Sequence, residues 1–181
     1  MWEATDYTSQ GRAVEDVYPE AFARMLLELS DQKVNHSPGV TVYADGADAM
    51  IGANFAPEIG LAKGTRGKYA GLVLHPDEPA DDGNGEERRL KYRPRCVYFQ
   101  PNDPRHADLP GLKGGVVPVL PGADALSKDG PRDERVHVDN VPIPIGLRPY
   151  LKKKVKGSKQ DKLSFRRDGF AIRQGMVISV S

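Results

Sequence analysis

The stretch MIGANFAPEIGLAKGTRGKYAGLVL, Met50 to Leu74, reads as two short apolar runs separated by a glycine-punctuated turn. Met50, Ile51, Ala53 and Phe55 make the first run, and Tyr69, Ala70, Leu72, Val73 and Leu74 make the second. Gly60, Gly64 and Gly67 fall between them, where the chain must reverse, and glycine tolerates the positive φ of tight reversals. This spacing predicts a β-hairpin. Its tip would present Lys63, Arg66 and Lys68 to solvent, either as a solubilised loop or as a contact for something anionic.

Upstream, residues 1–17 are polar and mixed with no sustained period, as expected of a flexible leader. From Pro19 to Leu29, PEAFARMLLEL places Phe22, Met25, Leu26 and Leu29 at i, i+3, i+4, i+7 and predicts an amphipathic helix of about three turns. Val40 to Tyr43 predicts a short strand leading into the hairpin. Downstream, His75 to Arg89 has a single alanine for aliphatic content, so a polar, mobile loop is expected over about 75–92. Its acids lack the alternating spacing of a calcium loop. Arg95–Gln100 (RCVYFQ) reads as a strand, and Gly115–Leu120 (GVVPVL) as another, placed at a sheet edge by Pro118. A second polar loop follows at 121–134. Val136–Leu147 carries two prolines and suits a bent or edge strand. Arg148–Arg167 then sets nine lysines and arginines against the lone acid Asp161. The apolar run Phe170–Val180 lies at the end of the chain, as expected of a fragment.

The 181 residues suffice for one domain with a sizeable core, or a domain carrying an insertion. Apolar residues make up 39% and charged residues 28%, with 19 glycines and 15 prolines, which favours a loop-rich, strand-dominated globule. Twenty-six Lys and Arg against 25 Asp and Glu leave a net charge of +1, so a nucleic-acid argument must rest on where the charges sit. The single cysteine, Cys96, excludes an internal disulfide framework and a thiolate metal cluster, and fits a small buried hydrophobe in a strand. No run approaches the roughly 18 apolar residues of a membrane span, so no membrane partner is expected.

Motifs for self-contained catalysis are missing. Gly64-Thr65-Arg66-Gly67-Lys68 suggests a phosphate loop, but GxxxxGKS/T would need glycine at Ala62 and Ser or Thr at Tyr69, followed by a helix. His36, His75, His106 and His137 are scattered, without the HExxH spacing of a zinc site or a GxSxG nucleophile elbow. The basic run admits three readings: a solvated loop, a phosphate-contacting surface, or a nuclear-import signal of the KKKxK kind over Lys152–Lys156.

At this point the residues resemble a known family, the 5′-to-3′ superfamily-1 DNA helicases of the RecD-like, Pif-like and Helitron-transposon branch. Their C-terminal halves carry a line of the type VMLLRNLDPxxGLCNGTRxxV. Met50, Asn54, Pro57, Gly60, Leu61, Gly64, Thr65 and Arg66 match it in order. Tyr18–Phe22 (YPEAF) is similar to the family's YPxEF helix start, DLPGLKGGVVPVLP (108–121) to a proline-rich strand pair of fungal relatives, and Phe170–Ser181 to the segment before TxxKSQG. Lys63 departs from the usual Asn before Gly64, and Gly52 and Ala53 stand where larger aliphatic or basic residues are usual. The chain holds neither the nucleotide-binding loop and acidic metal motif nor the KSQG segment and γ-phosphate arginine.

The resemblance implies a fold that is mainly β with some α (α+β), an SH3-like barrel insertion on part of a RecA-like domain spanning 18–181. It implies a helicase fragment that contacts single-stranded DNA without hydrolysing ATP alone, ATP and Mg being implied only for the intact motor. The implied partners are single-stranded DNA and the remaining helicase domains, in the nucleus, with mitochondria or cytoplasm as alternatives. The expected contacts are Lys63, Arg66, Lys68, Lys152, Lys153, Lys154 and Lys156, with Tyr69, Tyr150 or Phe165 as stacking aromatics set against a core role. The rival readings are a non-enzymatic protein-interaction module using edge strands near Val116 or Val141, and a degenerate transposon remnant.

Overall fold

The computed structural model describes residues 1–8, 10–34, 37–81, 87–105, 108–121, 136–142, 162–170 and 172–174. In chain order the elements are β1 (Trp2–Glu3), β2 (Thr5–Thr8), α1 (Glu20–Leu27), β3 (Val40–Thr41), β4 (Asp48–Ile51), β5 (Arg66–Val73), β6 (Cys96–Pro101), β7 (Val117–Val119), β8 (Val136–Pro142), β9 (Lys162–Asp168) and β10 (Ile172–Gln174). Among the described residues the fold is mainly β with one α-helix, in line with the strand-dominated globule expected from composition. A five-stranded antiparallel sheet runs β10-β4-β5-β6-β7, a three-stranded sheet runs β2-β9-β8, and β1 pairs with β3.

The quoted stretch does form an antiparallel pair, with Asp48 opposite Lys68 and Met50 opposite Arg66. Its turn is longer than a tight hairpin, because β4 stops at Ile51 and β5 begins at Arg66. Arg66 and Lys68 therefore lie inside a strand, and only Lys63 of the three cations sits on the loop. Alternation then sorts β5: Gly67 and Tyr69 face inward, while Arg66 and Lys68 face out. Ala49, Ile51, Val97, Phe99, Val117, Val119 and Ile172 supply the same inner face and bury against Trp2 and Phe170. Pro118 is exposed on β7, which ends the sheet among the described residues, as a strand proline requires. Cys96 is buried at the start of β6.

A second core forms where α1 covers the three-stranded sheet. Phe22 and Leu26, one turn apart on the helix, are fully buried with Val14, Val34, Val138, Val141 and Phe165. Tyr18 stacks on Phe22 at 4.5 Å between ring centroids.

Four expectations change. Residues 1–17 are not a loose leader. Trp2, Ala4 and Asp6 alternate inward with period two, and β2 lies along β9 with Asp6 opposite Arg167. Val40–Thr41 pairs with β1 rather than leading into the hairpin. The end of the basic run is a strand, β9, central in its sheet, with Arg167 and Phe165 buried. The loop from His75 is tied down: the Glu78 carboxylate accepts from the backbone N–H of Lys91 (3.0 Å) and Tyr92 (2.8 Å), closing 78 onto 91–92. Burial works against that carboxylate's charge, but these two amides and Arg88 at 3.5 Å hold its pKa below the usual value.

Arg167 joins helix, sheet and N-terminus. Its Nε and Nη2 donate to the two Asp6 carboxylate oxygens at 2.7 and 2.8 Å, Nη2 also to the Leu26 carbonyl at 2.6 Å, and Nη1 to the Ser37 carbonyl at 3.1 Å. Leu26 lies in the last turn of α1, where carbonyls lack helical partners and the macrodipole favours a cation.

Candidate nucleic-acid interface

The loop leading into β5 is held by the very residues that carry the motif match. Thr65 Oγ1 donates to the Gly60 carbonyl at 2.9 Å and accepts from the Ala62 amide at 3.1 Å. Asn54 Oδ1 accepts from the Lys63 amide at 2.9 Å, and Leu61 is buried. Gly60 and Gly64 hold φ of 87° and 93°, the left-handed region open to glycine. The GLxxGTR line is thus a device for shaping this loop. It is not a phosphate cradle: the Gly64 amide donates to the Ile51 carbonyl (2.8 Å), the Thr65 amide to Ala62 (3.0 Å), and a strand follows instead of a helix. These residues do not fit a nucleotide phosphate group.

Outside the five-stranded sheet, register places side chains on one open face. Asp48 and Met50 of β4 stand opposite Lys68 and Arg66 of β5, and Lys68 stands opposite Gln100 of β6. Tyr98 shares Gln100's face and pairs with Gly71 of β5 and Pro118 of β7. Lys68 is partly committed, 3.6 Å from Asp48 and 3.2 Å from the Gly46 carbonyl, with its side chain 54% exposed. Arg66 is exposed and has no ion pair among the described residues, and Lys63 projects from the adjoining loop in the same condition. Where a Gly60 side chain would stand, the Arg105 Cδ lies 3.1 Å away, so a further guanidinium sits over this loop, paired at 3.5 Å with Asp103.

A further basic run, 88–95, has three of its arginines committed to ion pairs. Arg88 lies 3.5 Å from both Glu78 and Asp81, Arg89 bonds Glu3, and Arg93 lies 3.0 Å from Asp168 with its guanidinium over the Phe170 ring. Of that run, Arg95 alone is exposed with no side-chain partner among the described residues.

The chain matches no family model, no curated protein and no solved structure.

Of the contacts expected from sequence, Arg66 and Lys68 share the outer face of β5 and Lys63 lies exposed on the loop before it. Lys152, Lys153, Lys154 and Lys156, with Tyr150, lie outside the described residues. Tyr69 and Phe165 are each 1% exposed and belong to the two cores, so neither reaches a base. Burial pushes the Tyr69 hydroxyl far above the usual phenol range, its neighbour Tyr43 adding to the effect at 5.2 Å between rings. Burial and a hydrogen bond to Asp45 take Tyr43 itself up to about 12. The sequence reading missed Tyr98 and Arg105. The alternation of RCVYFQ carried the signal for Tyr98, since Val97 and Phe99 point in and leave Tyr98 outward. No linear signal put Arg105 over Gly60. Among the described residues, no three His, Cys, Asp or Glu side chains converge to hold a metal ion, and no helix is long and apolar enough to cross a membrane.

Proposed function

We propose that the chain is a nucleic-acid-contacting module of a helicase of the RecD-like, Pif-like and Helitron branch, binding single-stranded DNA without hydrolysing ATP by itself. One observation carries the reading: Arg66 and Lys68 share the outer face of β5, Lys63 lies on the loop that leads into it, and neither Lys63 nor Arg66 has an ion pair among the described residues. The resemblance supports it, because Asn54, Gly60, Gly64 and Thr65 of the matched line shape the loop that carries Lys63 and leads into β5. In this reading the mainly β fold is an SH3-like barrel insertion on part of a RecA-like domain, and the remaining helicase domains supply ATP and Mg binding. The KKKxK cluster at Lys152–Lys156 would extend the phosphate contacts and direct the protein to the nucleus.

Fluorescence anisotropy with a labelled oligothymidylate at two salt concentrations tests it. The three contacts at Lys63, Arg66 and Lys68 account for about −2 of the slope of log K against log salt for a single strand, and the Lys152–Lys156 cluster adds to it. Reversing Lys63, Arg66 and Lys68 to glutamate removes at least that share of the slope. Absence of salt-dependent binding at low ionic strength refutes the proposal.

A second reading has one observation in its favour. Strand β7 closes the five-stranded sheet among the described residues, and Leu120 beside it is 55% exposed, as in a sheet edge that accepts a partner strand. Charge reversal of Lys152 to Lys154 leaves such a protein contact intact and weakens nucleic-acid binding.

A further inference from the structure

We propose that Tyr98 is a base-stacking platform on the outer sheet face, so that the bound strand presents unpaired bases to the protein as well as phosphates. The inference rests on the nucleic-acid reading above and deepens it by naming the chemistry of the second contact.

The position is built by a bulge. The pairing of β5 with β6 shifts register between Tyr69 and Gly71, so that Tyr69 stays inward opposite Phe99 while Gly71 turns outward opposite Tyr98. Gly71 holds φ at 143°, open to glycine alone, and a Cβ there would lie 3.1 Å from Tyr98 Cδ2. The ring therefore leans on bare backbone, with Pro118 as its neighbour on the far side. Such a seat fixes the side chain with little conformational freedom left to lose on binding.

What distinguishes Tyr98 is that it has nothing else to do. Tyr18 stacks on Phe22, Tyr43 on Tyr69, and Tyr92 meets both His75 and Lys91. Tyr7 has interactions of its own. Tyr98 alone among the described tyrosines has neither a ring contact nor a hydroxyl hydrogen bond, yet it is partly exposed in a row with polar Gln100 and the cations. Register makes it the diagonal neighbour of Lys68, about 7–8 Å away across one strand spacing. An aromatic ring beside cations along one track is the arrangement that holds a single strand without reading its sequence, stacking being open to every base. Duplex DNA keeps its bases stacked internally and gains nothing from the ring.

A role confined to covering Gly71 makes a different prediction, because it affects stability and not base recognition. The test compares two fluorescent probes of equal length and charge, an oligothymidylate and its fully abasic counterpart, by anisotropy at one salt concentration. The wild-type chain binds the base-bearing probe about fivefold to a hundredfold more tightly. Tyr98→Phe keeps that ratio, and Tyr98→Leu brings it toward one while leaving abasic binding and its salt slope unchanged. Equal wild-type affinity for both probes overturns the stacking proposal and leaves the phosphate reading standing. A Tyr98→Leu variant that retains the ratio also overturns it. Should the wild type bind neither probe, the nucleic-acid reading fails and the stacking platform falls with it. The wild-type comparison needs no substitution, so equal affinity for the two probes overturns the proposal even if Tyr98→Leu does not fold.

Discussion

Replacing Arg167 with methionine removes the most heavily bonded side chain described in the molecule. Arg167 is fully buried and gives four hydrogen bonds, two to Asp6, one to the Leu26 carbonyl and one to the Ser37 carbonyl. Losing one member of a buried ion pair costs about 3–5 kcal/mol, because the partner charge is left in a poor dielectric. Each carbonyl stripped of its donor adds about 1–3 kcal/mol when no water replaces it. These terms overlap, since Asp6 takes a proton once its counterion is gone, so the net loss is about 4–6 kcal/mol at neutral pH. That is a large share of the roughly 5–15 kcal/mol that holds a domain folded. Burial already raises the Asp6 pKa above its ordinary 3.8, against the opposing pull of Arg167. In Arg167→Met the opposing pull is absent and the folded-state value rises further. The folded protein then binds more protons than the unfolded chain between pH 3.8 and that raised value. Stability of the variant is therefore greatest below the unfolded value and falls as pH rises through the folded one. Urea denaturation at pH 4.5 and pH 7 reads both effects through the midpoint at constant m. The double variant Asp6→Leu, Arg167→Met regains at least about 2 kcal/mol over the single, because no charge is stranded. If Arg167→Met does not fold, a cooperative transition in the double variant carries the same information. A loss below about 1 kcal/mol, or a double variant no better than the single, refutes this account of Arg167.

Three other outcomes follow from named contacts. Glu78→Ala frees the amides of Lys91 and Tyr92, so their hydrogen exchange accelerates selectively; in the wild type, with Glu78 held below its ordinary 4.5, the clamp persists above that value and is lost as pH falls through the depressed folded pKa. Unchanged protection of both amides from pH 6 to pH 3 contradicts it. Thr65→Val keeps the shape of the loop but deletes the bonds to Ala62 and Gly60, costing about 1–3 kcal/mol in chemical denaturation, while Thr65→Ser stays near wild type. Burial raises the Cys96 thiol, so alkylation at pH 8 is slow in the native protein and fast in denaturant; rapid native labelling shows the thiol to be exposed.

The readable part of the fold was the part governed by short-range pattern. Strand β6 was legible in RCVYFQ, helix α1 in the spacing of Phe22 and Leu26, and the edge position of β7 in Pro118. The candidate interface was half legible. Lys63, Arg66 and Lys68 were marked by sequence, but their placement on loop or strand depended on where β5 starts. Tyr69, marked by sequence as a stacking candidate, faces inward opposite Phe99, whereas Tyr98 faces outward opposite Gly71, the direction that the alternation of RCVYFQ already carried.

The sequence by itself determined that this chain is built mainly of strands, with an amphipathic helix near its N-terminus and a glycine-shaped loop before β5, because periodicity and backbone freedom act within a few residues. The tertiary structure decided what becomes of the charges. Asp6 looked like a reason to leave residues 1–17 outside the fold, and it became buried strand only because Arg167, 161 positions away, neutralises it. Glu78 looked like a solvated loop acid until the amides of Lys91 and Tyr92 came within its reach. A charge enters a protein interior only with its partner, and no local pattern says which distant residue that partner will be.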